Sequence, residues 1–357
     1  MNYFTYVGCY TDAKKEGIHI FETDGDTGAF RPIGLVSGIE SPIYLSLSKT
    51  RPLLYAAQGM PEYGDGSKNG AVGVYAIKGD ALLPLNHRPV GVTVPCYVAL
   101  SPDEKALVFA EYSNAVSGVF ELNADGSFAD APPATVTHTG SGPDKSRQEK
   151  AHAHCAEVTP DGKYLCVVDL GIDRVKVYDF AGRRAGLKEM ERLTIASAGG
   201  AGPRHIAFHP NRRFAFVLHE LNNTVASYAY TGDAFVPVQT LGTIPADFSD
   251  FSKAAAIKIS ADGTRLFASN RGHDSIAVFG IDPASGRMEL MAISKLTGQS
   301  PRDFELVPDE KFVLAGHENS NELRVYAFDR ATGKLAPAQE PYALHRPVYV
   351  KFGAVRT

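Results

Sequence analysis

The sequence predicts an all-β protein, a seven-bladed β-propeller with four antiparallel strands per blade. Strands from the N- and C-terminal ends share one blade and close the ring. Three observations carry this: a segment that recurs five times without a gap, a short strand ahead of every copy, and chain ends that look like complementary parts of one unit.

The recurring segment starts at residues 101, 159, 209, 260 and 307. The copies are SPDEKALVFAEYSNAVSGVFEL, TPDGKYLCVVDLGIDRVKVYDF, HPNRRFAFVLHELNNTVASYAY, SADGTRLFASNRGHDSIAVFGI and VPDEKFVLAGHENSNELRVYAF. Each opens on a Pro/Asp/Asn/Gly turn signal, continues as an apolar strand, breaks at a polar patch, and resumes as an alternating strand ending in an aromatic. The starts lie 58, 50, 51 and 47 residues apart, the scale of a propeller blade. PCYVAL, AHCAEV, PRHIAF, AAAIKI and PRDFEL supply the preceding strands, and a less regular strand follows turns such as NADGS, DPASG and DRATG.

A sixth unit begins at PIYLSLSKTRPLLYAAQG (42–59), with an insertion, MPEYGDGSKNG (60–70), before its third strand. The seventh is split. RPVYVKF (346–352) reads as a first strand with nothing after it, and YFTYVGCYT and GIHIFETDGDTG read as the second and third strands it lacks. Pairing them leaves no open sheet edge. The expected organisation is one domain over residues 1–357.

Bulk properties narrow the function. Net charge is −4 without a basic stretch, which argues against nucleic acid. No apolar run approaches the ~18 residues of a membrane span. The N-terminus alternates as a strand and lacks the parts of an export signal. Cys9, Cys96, Cys155 and Cys166 follow no metal or disulfide spacing. Buried free thiols, a cytoplasmic setting and a monomer are the expectations.

The alignment also defines two positions that should crowd one face of the ring near its centre. The first, five residues ahead of each repeat, holds Ile43, Cys96, His154, Arg204, Ala255 and Arg302. The second, where the second strand turns into the third, holds Tyr112, Leu170, Glu220, Arg271 and Glu318. Small or apolar residues would suit a packed centre. Basic and acidic residues cluster there instead, and an unpaired buried charge costs several kcal/mol. The set is either an internal ion-pair network or an anion-binding catalytic pocket, and the pocket is favoured.

No tryptophan is present, so Trp-Asp and kelch-type blades are excluded. The chain resembles the seven-bladed propeller lactonases, the family of propeller-type 6-phosphogluconolactonases and fungal carboxy-muconate lactonizing enzymes. The resemblance rests on YVGCYTDAKKEGIHIFETDGDTG, RQEKAHAHCAEVTPDGKYLCVVDLG, GAGPRHIAFHPNRRFAFVLHELNNTV, DGTRLFASNRGHDSIAVF and PRDFELVPDEKFVLAG, and GAGPRHIAFHPN…ELNN is the most specific stretch. The chain departs from the family at Cys9, AAQG (56–59) and AEYSNAVSG (110–118).

The resemblance implies hydrolysis of a sugar lactone, with 6-phospho-D-glucono-1,5-lactone as the first substrate to test. It maps a catalytic set onto His154, Arg204, Glu220 and Arg271. His154 or Glu220 would accept the proton of the attacking water, and the arginines would hold the anionic substrate and transition state. Arg302, Glu318 and Arg147 (in the loop 139–151) are candidate substrate-binding residues. Strand alternation turns His205 away from Arg204, and His209 fills a turn slot with a structural role. No cofactor is expected. Metal-binding motifs are missing and the arginine-rich position repels cations. The competing readings are a muconate-type cycloisomerase and a non-catalytic binding propeller.

Overall fold

The computed structural model describes residues 1–11, 16–63, 67–91 and 93–355. Among these the strands form seven sheets, each a run of four antiparallel neighbours, which makes the protein a seven-bladed β-propeller. Blades 1 to 6 follow the chain. Their innermost strands are Glu40–Leu47, Tyr97–Leu100, Ala153–Val158, Pro203–Phe208, Lys253–Ile259 and Pro301–Leu306. In blade 7 the C-terminal strand Pro347–Val355 pairs with Asn2–Cys9, followed by Glu16–Asp24 and Phe30–Ser37. The predicted split blade is observed. Blade 6 has one addition, a short strand Tyr342–Ala343 on its third strand.

The insertion in blade 1 lengthens a hairpin. Strands Leu53–Tyr63 and Ser67–Lys78 stay paired out to Tyr63 and Ser67, and residues 64–66 of the insertion lie outside the described residues.

The turn signals have a common mechanism. In Ser101–Pro–Asp the Ser101 hydroxyl donates to Asp103 (2.7 Å) and accepts from the Ala106 amide (3.1 Å). Thr159 with Asp161 and Ser260 with Asp262 repeat this at 2.6 and 2.7 Å. The fourth turn residue takes positive φ in all five copies, which Gly162 and Gly263 adopt without strain. His209 takes the Ser/Thr slot: its Nδ1 accepts from the Asn211 amide (3.1 Å) and its Nε2 donates to the Gly263 carbonyl (2.8 Å). The structural role expected of it is observed.

By packing, the chain divides into two compact units, Gly8–Ile20 with Gly34–Gly202, and Met1–Val7 with Phe21–Ile33 and Pro203–Thr357. The first contains blades 1 to 3, and its core joins blades 1 and 2 through Tyr55, Val72, Phe109, Phe120 and Phe128. The second contains blades 4 to 6 with most of blade 7. There Phe216 and Leu218 of blade 4 pack on Leu266 and Phe279 of blade 5, and Phe267 of blade 5 packs on Phe304 and Tyr326 of blade 6. Each buried aliphatic or aromatic side chain contributes about 1.5–3 kcal/mol, so the sheets are held face to face by apolar contact.

Candidate active site

A recurring backbone irregularity positions the site residues. In blade 4, Pro203 pairs with His219 and His205 with Leu218, leaving Arg204 as the extra residue of a β-bulge. His154 and Arg302 are the extra residues at the same place in blades 3 and 6. A bulge re-aims the side chain it carries and breaks strand alternation. The structure therefore corrects one expectation. His205 does not turn away from its neighbour: Arg204 Nη1 donates to His205 Nε2 at 2.9 Å.

In the second unit Arg204 is buried, and its Nε donates to Glu220 Oε2 at 2.8 Å. Its Nη1 also donates to the Ala255 carbonyl. Arg271, at the end of the second strand of blade 5, contacts the same Glu220 oxygen through Nη2 at 3.0 Å and donates to the Ala254 carbonyl at 3.2 Å. Glu220 thus sits between two guanidiniums. Burial draws the Arg271 pKa down to about 10; Glu220 opposes that shift, while the like charges of Arg204 and Arg302 add to it.

Arg302 Nη1 donates to Glu318 Oε2 at 3.2 Å, and Arg346 Nη2 donates to Glu318 Oε1 at 2.7 Å. Burial pushes the Glu318 carboxyl upward, but Arg302 and Arg346 together hold it below its ordinary range. Arg346 was not among the residues expected from sequence. It precedes Pro347 as Ser300 precedes Pro301 and Gly202 precedes Pro203, and all three have positive φ. That alignment was available, but blade 7 is split and lacks the gapless repeat.

In the first unit the same positions carry a different cluster. The buried His154 ring meets the Tyr112 ring edge-to-face at 5.5 Å, and Cys96 Sγ lies 3.9 Å from His154 Nδ1. Tyr112 stacks on His152 at 4.3 Å. Both His152 ring nitrogens face oxygens, the Tyr112 carbonyl and Glu149 Oε1, each at 3.1 Å. Arg147 is half-buried, and its Nη2 donates to the Tyr112 hydroxyl at 3.2 Å. Its loop is fixed by the fully buried Gln148, which donates to the Leu170 carbonyl and to Asp173, both at 2.8 Å. All four cysteines are free. Cys9, Cys155 and Cys166 are buried as expected, whereas Cys96 is only half-buried.

Among the described residues no His, Cys, Asp or Glu side chains group as a metal centre, and no helix is long and apolar enough to cross a membrane. What the second unit offers is a guanidinium-rich cluster around the buried Glu220 and the half-buried Glu318, a group type suited to holding an anion or a developing negative charge.

Fold and cluster together define a seven-bladed propeller whose second unit carries arginines paired with glutamates. The family description "Lactonase, 7-bladed beta-propeller" matches residues 4–352, and the chain belongs to that family. It is 37% identical over 354 residues to the 6-phosphogluconolactonase of Bacillus subtilis, covering 98% of each chain. Among solved structures, the periplasmic gluconolactonase PpgL of Pseudomonas aeruginosa superimposes with a TM-score of 0.91 at 30% identity, over 100% of both chains. A putative 6-phosphogluconolactonase from Bacteroides fragilis gives 0.88 at 30% identity, over 99% of this chain and 98% of its own.

Proposed function

We propose that this lactonase hydrolyses a sugar lactone bearing an anionic group, with 6-phospho-D-glucono-1,5-lactone as its substrate. The observation that carries this is the Arg204–Glu220–Arg271 triad, in which the guanidiniums of buried Arg204 and half-buried Arg271 share one oxygen of the buried Glu220. Water adds to the lactone carbonyl carbon, the ring C–O bond breaks, and the ring oxygen leaves as a hydroxyl carrying a proton. The charge that develops on the carbonyl oxygen is stabilised by guanidinium N–H groups. Glu220 Oε2 already accepts from Arg204 and is ion-paired with Arg271, so in this reading Glu220 aligns both arginines. Glu220 and His154 remain the two candidates for accepting the water's proton.

The named 6-phosphogluconolactonase relative supports the phosphorylated substrate, and the gluconolactonase neighbour supports lactone opening in general. The reaction in this proposal uses no metal, because guanidiniums concentrated at the site repel a cation. The proposed setting is the cytoplasm, in keeping with four free thiols.

The test is a panel of freshly prepared lactones: phosphorylated, unphosphorylated and muconate-derived. Opening of the phosphorylated lactone is expected, unchanged by EDTA. Alanine at Arg204, Glu220, Arg271 or His154 should each lower kcat/KM by about 100-fold or more. Near-normal turnover in all four variants, or activity on muconates alone, would overturn the proposal.

A further inference from the structure

Arg204 is fixed by three acceptors drawn from three places. Its Nε donates to Glu220 Oε2, just past the second strand of blade 4, and its Nη1 donates to the Ala255 carbonyl in the innermost strand of blade 5. The third acceptor is the next residue in the chain, His205, whose Nε2 accepts from Nη1 at 2.9 Å. A guanidinium has five N–H groups, one on Nε and two on each Nη. These anchors take the Nε group and both groups on Nη1, and none of them uses Nη2.

Consecutive residues of a regular strand point to opposite faces. Arg204 and His205 meet because Arg204 is the extra residue of the bulge. His205 is buried, and a guanidinium has no acceptor to offer, so the bond requires an unprotonated Nε2. The ring is then a neutral acceptor. It fixes the guanidinium without cancelling its charge, as a carboxylate at this position would do. Blade 6 shows that the position is not bound to this use. There Asp303 follows the bulge residue Arg302, and its carboxylate accepts from the Val350 amide at 2.9 Å and pairs with Lys258 Nζ at 3.4 Å.

We infer that His205 is a positioning residue for lactone hydrolysis, acting through Arg204. Anchors at Glu220 and the Ala255 carbonyl leave the guanidinium able to tilt about the line joining them, and His205 removes that freedom. The Nη2 edge is then held ready for the carbonyl oxygen as its charge develops, with no reorganisation needed at the moment of reaction. This rests on the lactonase reading above, in which Arg204 stabilises that oxygen.

The test compares His205→Gln, whose amide oxygen reaches about as far as Nε2, with His205→Leu, which fills the space without an acceptor. Hydrolysis of the phosphorylated lactone is followed at steady state, and folding is checked by urea unfolding. His205→Leu should lower kcat by about 10-fold or more with KM little changed. His205→Gln should recover most of that loss. If His205→Leu does not fold, His205→Asn, whose amide is too short to reach Nη1, takes its place. Wild-type kcat without the acceptor, equal losses with and without it, or a change confined to KM overturns the inference. A second measurement needs no turnover. Nitrogen NMR of the protein with isotope-labelled histidine should show His205 Nε2 unprotonated, with its signal displaced in Arg204→Met. A protonated Nε2, or a signal that Arg204→Met leaves in place, refutes the anchor. If the wild-type protein opens no lactone, the lactonase reading fails by itself, and the spectrum alone decides whether His205 holds Arg204.

Discussion

Blades 3 and 4 share a strand plan, a turn mechanism and a bulge, yet they place charge differently. At the end of its second strand blade 3 has Asp169 followed by Leu170, and blade 4 has His219 followed by Glu220. Asp169 is spent on the blade itself: its carboxylate accepts from the His152 and Gly171 amides (2.8 and 2.9 Å) and lies 2.7 Å from His138 Nδ1. His219 takes the comparable structural place with a bond to Thr224 (3.0 Å). That leaves the next residue, Glu220, to hold Arg204 and Arg271. Blade 6 repeats the pattern of blade 4 with His317 and Glu318, and blade 2 resembles blade 3 with Glu111 and Tyr112. Where the turn is stabilised by a carboxylate, the following position is neutral. Where an imidazole stands there, the following position carries a carboxylate that can hold arginines.

The largest effect should come from breaking the Arg204–Glu220–Arg271 triad. Glu220→Ala leaves the buried Arg204 and the half-buried Arg271 without their carboxylate and should cost about 3–5 kcal/mol in urea unfolding as well as activity. The triple variant Arg204→Met/Glu220→Leu/Arg271→Met removes all three charges together and should recover most of that stability while remaining inactive. If the triple variant is as unstable as Glu220→Ala, the triad is structural packing rather than a charge held for chemistry.

His317 sharpens the comparison at blade 6. Its Nε2 is 3.0 Å from the Tyr326 hydroxyl, its Nδ1 has no partner among the described residues, and burial lowers its pKa to about 4. The unfolded chain takes up this proton near pH 6.5 and the folded protein only near 4. Stability should therefore fall as pH drops through that interval, by up to roughly 3 kcal/mol, and level off below it. His317→Gln should flatten this part of the stability–pH curve, measured by urea midpoints from pH 7 to 4.

Arg271→Lys should lower kcat/KM by about 10-fold or more, since an ammonium cannot hold Glu220 and the Ala254 carbonyl in the same planar geometry. The smallest effect is expected in blade 2. Tyr112→Phe keeps the stack on His152, removes the hydroxyl that accepts from Arg147, and should cost no more than about 1 kcal/mol.

The fold was legible because the physical devices that make a blade are local. Ser101, Thr159 and Ser260 cap their turns through their own side chains, and positive φ recurs at fixed offsets, so a gapless alignment finds them. The candidate site was legible as repeat positions, since a charge at a slot that is neutral in other blades stands out. Its contacts were less so. A bulge leaves no residue signature in PRHIAF, so alternation predicts the wrong face for His205. Arg346 escaped notice because its blade is assembled from both ends of the chain. Arg147 reaches Tyr112 only because Gln148, an unremarkable polar residue in the sequence, is buried and anchors the loop.

The shared blade also sets an order of events during synthesis. Tyr3 bonds Asp309 across a sequence separation of 306, and the strand containing Tyr3 pairs with one that begins at Pro347. At a translation rate of about 5–20 residues per second, the strand Asn2–Cys9 waits roughly 17–70 s for its partner. Through that interval it presents an unpaired edge, a period in which a nascent chain is open to wrong pairing or to capture by a chaperone. A circularly permuted chain that makes blade 7 continuous would remove the wait, and its refolding yield would measure what the shared blade costs during assembly.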